Sequence, residues 1–241
     1  MSLEQKIKGT EALLSEIEKE YAPATFANSY GAEDMVLTDL IAKHFPGIEI
    51  FSLDTGRLPE ETYRLMKAVT ERYAIRAKVY FPESRDVEKY LAQHGPNGFY
   101  DSIEQRKECC RIRKVEPLKR ALAGKRAWIT GLRREQAPTR KDLTTSELDR
   151  DNGLQKFNPL LDWTHADVWN YIRSFDVPYN ALHDKGYPSI GCAPCTRAVA
   201  QDEDIRAGRW WWEDPATKEC GLHHRGGVVY TERQAASPLP R

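Results

Sequence analysis

Short apolar runs rich in β-branched and aromatic residues alternate with longer amphipathic stretches along most of the chain. Each run predicts a strand that is followed by a turn. The segments that contain a strand and its turn are 24–34, 48–56, 76–83 and 127–136. Apolar residues recur at helical spacing in the stretches that predict helices, which are 1–22, 33–45, 59–74 and 162–175. This alternation predicts an α/β fold in which helices flank a parallel twisted sheet.

The pattern changes towards the C-terminal end. After about residue 178 the chain is irregular and rich in proline, glycine and cysteine, and it ends in a polar stretch. We therefore predict one domain over residues 1–200 and a mobile functional tail over residues 201–241. The last regular element before this change is the helix 162–175, which we expect Thr164 to cap together with Asp167, in an acidic form of the capping box.

Composition narrows the class of protein. The 241 residues include 36 basic and 36 acidic side chains, so the formal net charge is zero and electrostatic recognition has to be local. No apolar run approaches the roughly 18 residues of a membrane span, and the N-terminal stretch has the pattern of a surface helix rather than of a signal peptide. We therefore expect a cytoplasmic protein that binds neither nucleic acid nor membrane. Its oligomeric state stays open, a homo-oligomer included.

Two of the predicted strand ends carry groups suited to a nucleotide, since ligands bind beyond the carboxyl ends of strands in sheets of this kind. SYGAED (29–34) combines a serine hydroxyl, a glycine turn and the backbone N–H groups of a helix start, which attract an anion. In LDTG (53–56), backbone groups and the threonine can bond a nucleobase or ribose. Each motif alone is also compatible with a plain connection. The candidate substrate residues are Ser29, Gly31, Asp34, Leu53, Thr55 and Gly56.

Four of the five cysteines form two close pairs. Cys109 and Cys110 are adjacent in ECCRIRK, in or at the end of a predicted helix, whereas Cys192 and Cys195 form a CxxC. Adjacent cysteines are poor disulfide partners, and a reducing compartment disfavours structural disulfides. The set therefore indicates a metal centre. A [4Fe-4S] cluster suits adjacent cysteines better than zinc does, and zinc or a redox disulfide are the alternatives.

Cys220 stands apart from these pairs, in KECGLHH (218–224). Nearby cations lower the pKa of a thiol and so favour its reactive thiolate form. Lys218, His223, His224 and Arg225 are such neighbours. The setting predicts a nucleophile, with an incidental surface thiol as the alternative.

SYGAED, LDTG, ECCRIRK, GCAPCTR, IRAGRWWWE and KECGLHH occur in this order within residues 20–230. Together they closely resemble the assimilatory adenylyl-sulfate (APS) reductases, relatives of the phosphoadenylyl-sulfate (PAPS) reductases. The resemblance implies an adenine nucleotide α-hydrolase-like fold, related to the ATP pyrophosphatases. Ala32 stands where the pyrophosphatase loop usually has a second glycine, which fits a loop that no longer grips ATP pyrophosphate.

The resemblance also implies roles for particular residues. The paired cysteines Cys109, Cys110, Cys192 and Cys195 would ligate a [4Fe-4S] cluster, and Cys220 in the tail would be the catalytic nucleophile. Other residues match family positions near the phosphosulfate; they are Lys114, Arg206, Arg209 and His223, of which His223 is counted with Cys220 as catalytic.

The implied reaction is reduction of APS to sulfite and AMP through an enzyme S-sulfocysteine, in assimilatory sulfate reduction. The implied partner is thioredoxin or a glutaredoxin-like dithiol. The nearest alternative is the same chemistry on PAPS, whose 3′-phosphate would draw on Arg57 or Arg133. Two other classes are disfavoured. The loop and the ECGLHH tail argue against an ATP-dependent tRNA thiolase, and a non-enzymatic iron–sulfur sensor would need a DNA- or partner-binding segment that the sequence does not offer.

Overall fold

The computed structural model describes residues 1–136, 140 and 142–214. Its sheet is built from β1 (Ala24–Ala27), β2 (Glu49–Leu53), β3 (Lys78–Tyr80), β4 (Ala127–Ile129), β5 (Ser146–Asp149) and β6 (Leu154–Phe157). The strands lie in the order β3-β2-β1-β4-β6-β5, and every neighbouring pair is parallel except β5 with β6. The predicted parallel α/β sheet is confirmed, and the antiparallel edge hairpin is an addition that the sequence pattern does not predict.

Helices occupy most of the segments between the strands. In the described part of the chain the α-helices are α1 (Leu3–Glu20), α2 (Ala32–His44), α3 (Glu60–Tyr73), α4 (Ser84–His94), α5 (Ile103–Cys110), α6 (Glu116–Leu122) and α7 (His165–Ser174). A π-helical turn, Arg111–Val115, joins α5 to α6. The capping box predicted at Thr164 and Asp167 is present, whereas α4 has no counterpart among the predicted elements. None of the helices described is long and apolar enough to cross a membrane.

The sheet is covered on both faces. Successive strand residues point to opposite faces, and in β4 Ile129 belongs to one apolar cluster while Trp128 belongs to another. On the first face α2 is buried along most of its length and packs against α7. On the second face α6 packs against Trp128. Burial on both faces is typical of a sheet whose strands are mostly parallel.

A buried carboxylate ties three helices of the first face together. Asp39 of α2 accepts hydrogen bonds of 2.7 Å from the hydroxyls of Tyr73 in α3 and Tyr171 in α7. Lys43, one turn further along α2, donates to the same carboxylate at 2.8 Å. Burial, and then the bonds to Asp39, raise the pKa of both tyrosines. The network keeps both hydroxyls protonated as donors, and it fixes α2, whose first turn lies at the cavity described below.

The chain reverses its direction of travel across the sheet at β1. It passes outward from β1 to β2 and β3, and then crosses back through α4–α6 to β4 on the other side of β1. The loops that follow β1 and β4 therefore diverge in opposite directions. In open α/β sheets this switch point leaves a crevice beyond the carboxyl ends of the strands, which is where ligands bind.

Candidate active site

A cavity of about 260 Å³ lies at this switch point. It is bounded by the segments that follow β1, β2 and β4 and by residues 188–191 and 205–210. Phe51, Trp128 and Leu132 form part of an apolar wall. Of the predicted substrate residues all but Gly56 line it, namely Ser29, Gly31, Asp34, Leu53, Thr55, Lys114, Arg206 and Arg209. The fold therefore brings together candidates that are far apart in the sequence.

The loop after β1 is held by Asp34 of α2. The Asp34 carboxylate accepts from the Ser29 backbone N–H at 2.7 Å and from the Ser29 hydroxyl at 2.5 Å. Burial raises the pKa of Asp34 to about 6, against the opposing effect of the Ser29 bonds and of the Gly131 backbone. A Cβ on Gly131 would overlap the Asp34 carboxylate, so glycine is needed after β4 for this approach. Asp34 lines the cavity, but these contacts of its carboxylate are with the loops that shape it.

The loop after β2 joins this cavity to the cysteines. The Thr55 hydroxyl lies 3.3 Å from the Cys192 sulfur, and the Thr55 carbonyl accepts a 2.6 Å bond from Arg113 in the π-helical turn. Gly56 has a φ of +70°, and its Cβ would lie 3.0 Å from the Phe81 ring. Gly56 thus serves the turn that aims Thr55, because glycine adopts positive φ without steric cost.

The four paired cysteines are all buried and line one small cavity beside the first. Cys109 and Cys110 end α5, and Cys192 and Cys195 frame a short helical turn whose Ala193 N–H donates to the Arg57 carbonyl at 2.8 Å. Among the described residues, no group of three or more His, Cys, Asp or Glu side chains is arranged to hold a metal ion. The two cavities share a wall, formed by Lys114, Cys192 and Trp210.

Cations surround these thiols. Burial raises the pKa of Cys109, opposed by Arg113 and Arg57, and it raises the pKa of Cys195 to about 12, opposed by Lys114 and Arg209. The indole N–H of Trp210 is buried without a hydrogen-bond partner in the described part of the chain. Four thiols, surrounding cations and an unmatched N–H donor fit an anionic thiolate-ligated cluster, whose sulfurs accept hydrogen bonds.

A buried ion pair fixes residues 201–214 to the cysteine region. Arg106 of α5 donates two bonds to the Glu213 carboxylate, at 2.8 and 2.7 Å, and both side chains are almost fully buried. The Arg106 guanidinium also lies over the Trp210 ring at 4.7 Å. The described part of the predicted tail therefore packs on the domain, and the division at residue 200 stays a prediction. Cys220 and His223 lie outside the described residues.

The Arg209 side chain contacts the loop that precedes Cys192. Its guanidinium donates to the Ile190 carbonyl at 3.2 Å and approaches the Ser189 hydroxyl at 3.4 Å. A Cβ on Gly191 would overlap this guanidinium, so the glycine leaves the space in which Arg209 reaches the cavity wall.

The structure also places residues at the cavity that the motif analysis does not identify. Glu33 and Arg133 form an ion pair at 2.8 Å, with Arg133 buried and also bonded to Glu135 and to the Trp163 carbonyl. Gly131 and His183 contribute to the wall. Arg133 is the only one of these that the sequence analysis considers, as a site for a 3′-phosphate. Glu33 lies within SYGAED but is not among its candidate residues, and Gly131 and His183 belong to segments without a recognisable motif.

The sequence of this chain is similar to the sequences of known proteins. The phosphoadenosine phosphosulfate reductase domain family matches residues 23–198. A protein of Allochromatium vinosum named adenosine 5′-phosphosulfate reductase is 56% identical over 213 residues, which is 88% of this chain and 83% of that protein. A protein of Burkholderia cepacia with the same name is 54% identical over 221 residues, which is 92% of this chain and 88% of that protein.

Solved structures agree with these matches. The crystal structure of a phosphoadenylyl-sulfate reductase from Candida auris, in complex with phosphate, has a TM-score of 0.67 and 30% identity, over 79% of this chain and 90% of that one. FMN adenylyltransferase from Candida glabrata, at 16% identity and a TM-score of 0.56 over 90% of this chain and 75% of that one, shares the fold alone. The predicted fold class and resemblance are thus confirmed, and the chain belongs to the phosphoadenosine phosphosulfate reductase family.

Proposed function

We propose that this chain is an adenylyl-sulfate reductase of assimilatory sulfate reduction, which releases sulfite and AMP with a thioredoxin-type dithiol as reductant. The observation that carries the proposal is the shared wall of the two cavities, where Lys114 borders both the candidate nucleotide site and the four buried cysteines. Relatives that are 56% and 54% identical over most of this chain carry the name adenosine 5′-phosphosulfate reductase.

The cavity offers complementary surfaces to the two ends of APS. The apolar wall of Phe51, Trp128 and Leu132 suits a purine. Lys114 and Arg209 lie close enough to the cysteines to oppose the rise in the pKa of Cys195, and they line the same cavity, so this end is electropositive. A phosphosulfate anion is stabilised by such cations, both on binding and as charge gathers on the leaving phosphate.

The choice of APS over PAPS is supported by the bonds of two arginines. Arg133 is engaged with two carboxylates and a backbone carbonyl. Arg57 donates to the Pro96 carbonyl at 2.6 Å and to the Asn97 side chain at 3.1 Å. Either arginine would have to give up these partners to bind a 3′-phosphate, which APS lacks.

The proposed chemistry takes place at Cys220. Its thiolate attacks the sulfur of APS, the bond from that sulfur to the phosphate oxygen breaks, and AMP leaves with the electron pair. The product is Cys220–S–SO₃⁻. A thiolate of the reductant then attacks the Cys220 sulfur and displaces sulfite, and the second thiol of the reductant resolves the mixed disulfide. The two electrons come from the dithiol, which becomes a disulfide. His223 is proposed to lie near the phosphosulfate and to assist this site.

Cys109, Cys110, Cys192 and Cys195 are the residues proposed to hold a [4Fe-4S] cluster. When bound, such a cluster would place a thiolate-ligated iron–sulfur group beside the electropositive end of the nucleotide site. Four basic residues line the same small cavity, namely Arg57, Arg106, Arg113 and Lys114. Their positive charge would offset the negative charge of the thiolates.

The function is tested by sulfite release from APS and from PAPS with thioredoxin present. We expect a higher kcat/KM for APS, because Arg57 and Arg133, the two arginines considered for a 3′-phosphate, are already bonded. Equal or reversed values would mean that a 3′-phosphate site exists. No sulfite from either substrate, together with ATP consumption, would favour a pyrophosphatase-type ligase instead.

A second prediction concerns the cluster. Protein purified without oxygen should be brown and contain about four irons and labile sulfide per chain. Removing one buried ligand with Cys192→Ser should lower the iron content. Stoichiometric zinc without labile sulfide would contradict the cluster.

A third prediction concerns Arg209. Gly191→Ala should displace its guanidinium, because the added methyl group would occupy the same space. Loss of a charge-assisted bond costs about 1.5–3 kcal/mol, so APS binding should weaken roughly tenfold or more, as in Arg209→Ala. The kinetic constants of the two variants and of their double mutant measure this loss of APS binding.

Gly9→Ala, in α1 with nothing within 4 Å of the new methyl group, is the matched control and should leave turnover unchanged. Additive losses in the double mutant would show that Gly191 acts elsewhere.

The last prediction concerns Cys220. APS without a reductant should yield one AMP per site and then stop, and intact mass should show an adduct of about 80 Da, the mass of SO₃, on the peptide that holds Cys220. Thioredoxin should remove the adduct and release sulfite. Cys220→Ser should keep its iron and bind APS but form no adduct, because a serine hydroxyl without a dedicated base is a weak nucleophile. An active Cys220→Ser protein would exclude this mechanism while leaving the substrate open.

A further inference from the structure

A buried acceptor at the nucleotide cavity has no partner among the described residues. His183 lines the cavity, and its Nδ1 lies 2.8 Å from the Tyr187 carbonyl oxygen. A carbonyl oxygen only accepts, so Nδ1 carries the proton and Nε2 of the neutral ring is an acceptor. Nε2 is buried and makes no hydrogen bond within the described part of the chain. A buried polar atom of this kind is costly unless a ligand or water pairs with it.

The ring of His183 is fixed in place and is kept neutral. Its plane stands at 86° to that of Trp169, with the ring centroids 5.3 Å apart. Burial lowers the pKa of His183, against smaller opposing effects of the Tyr187 carbonyl, Glu33 and Asp184 and with a small contribution from His165. At neutral pH this residue of the cavity wall therefore holds an oriented lone pair at Nε2, which requires a donor.

The chemistry of the nucleotide limits what that donor can be. The phosphosulfate has only acceptor oxygens, so it cannot pair with Nε2, and Lys114 and Arg209 already provide an electropositive end for it. The donors left on the adenylyl group are the 6-amino group of the purine and the two ribose hydroxyls. The apolar wall suits the purine, and the ribose joins the purine to the anion.

We propose that His183 is a substrate-binding residue whose Nε2 accepts a hydrogen bond from a ribose hydroxyl of the adenylyl group. This inference rests on the proposed function, because it takes an adenine nucleotide as the ligand. The proposal assigns a role to His183, which no motif identifies. It also means that the side of the cavity next to α7 recognises the sugar of the nucleotide rather than the base or the anion.

Two conservative substitutions separate binding from a purely structural role. In His183→Asn the side-chain amide takes the place of Nδ1 and can still donate to the Tyr187 carbonyl, but no acceptor remains at the position of Nε2. In His183→Gln the side-chain oxygen lies near the position of Nε2, and the donor to Tyr187 is lost. A binding role is retained by Gln and lost in Asn, whereas a structural role shows the opposite pattern.

The experiment measures equilibrium binding of AMP, 2′-deoxy-AMP and 3′-deoxy-AMP to wild-type holoenzyme and to both variants. We expect wild type to bind one deoxy nucleotide about fivefold more weakly than AMP, the effect of one neutral hydrogen bond. His183→Asn should bind AMP about fivefold more weakly and should not distinguish AMP from that deoxy nucleotide. His183→Gln should keep most of the preference. Iron content and the urea midpoint of unfolding serve as checks on the folded state of each variant.

Several results would overturn the inference. His183→Asn could discriminate among the three nucleotides as wild type does, or His183→Gln could lose the preference while Asn keeps it. The analogue of AMP that lacks the 6-amino group is measured as well, and sensitivity to His183 that disappears only with this analogue would assign the contact to the base instead. Sulfite release by wild type is measured in parallel. If wild type forms sulfite from APS and the variants do not follow the expected pattern, only this inference fails. If wild type neither forms sulfite nor binds AMP, the proposed function fails with it.

Discussion

The buried carboxylate of Asp34 is the interaction on which the cavity depends. It bonds the loop after β1 through Ser29, and the Gly131 backbone after β4 approaches it from the other side of the switch point. The two loops diverge because the strand order reverses there, so a single group that holds both fixes the width of the crevice. A longer side chain at Gly131 would separate them. The anchor itself is stable because α2 is held in turn by the Asp39 network.

The cysteine region shows how opposing physical effects can be combined in one site. Burial is the largest effect on Cys195 and raises its pKa to about 12 even against Lys114 and Arg209, which would keep the thiol protonated and a poor ligand. The surrounding cations act in the opposite direction, and some of them also do structural work. Arg113 bonds Thr55 and opposes the rise in the pKa of Cys109, and Arg106 bonds Glu213 and lies over the Trp210 ring. A chain with zero net charge can thus create a strongly positive region by burying its basic residues around a single pocket.

How far the sequence predicts this structure depends on whether a feature is local. The strands β1–β4 and the helices α2, α3 and α7 follow from periodicity and turn residues, and the SYGAED and LDTG loops lie at strand ends as predicted. Helix α4 and the β5–β6 hairpin are missed. The strands of that hairpin are four residues each, and Leu148 is exposed, so they lack a strong apolar pattern. Arg133 and His183 could not be placed. The ion-pair partner of Arg133, Glu33, is far away in the chain, and His183 meets the strand-end loops at the cavity only through the fold. The π-helical turn is also invisible in sequence, yet it is the segment from which Arg113 reaches the cysteine cavity and Lys114 reaches both cavities.

The Arg106–Glu213 ion pair has a consequence for catalysis that follows from chain length alone. A buried pair of this kind often contributes little net stability, since both charges lose their hydration, but it specifies one arrangement. Cys220 follows Glu213 by seven residues, and seven extended residues span at most roughly 25 Å. The pair therefore keeps the proposed nucleophile within that distance of Glu213. Because the same arginine belongs to the helix that ends in Cys109 and Cys110, any shift of the cysteine region would also move the point from which the nucleophile's segment departs. One contact thus joins the helix that ends in the proposed cluster ligands to the described residues that precede the proposed nucleophile.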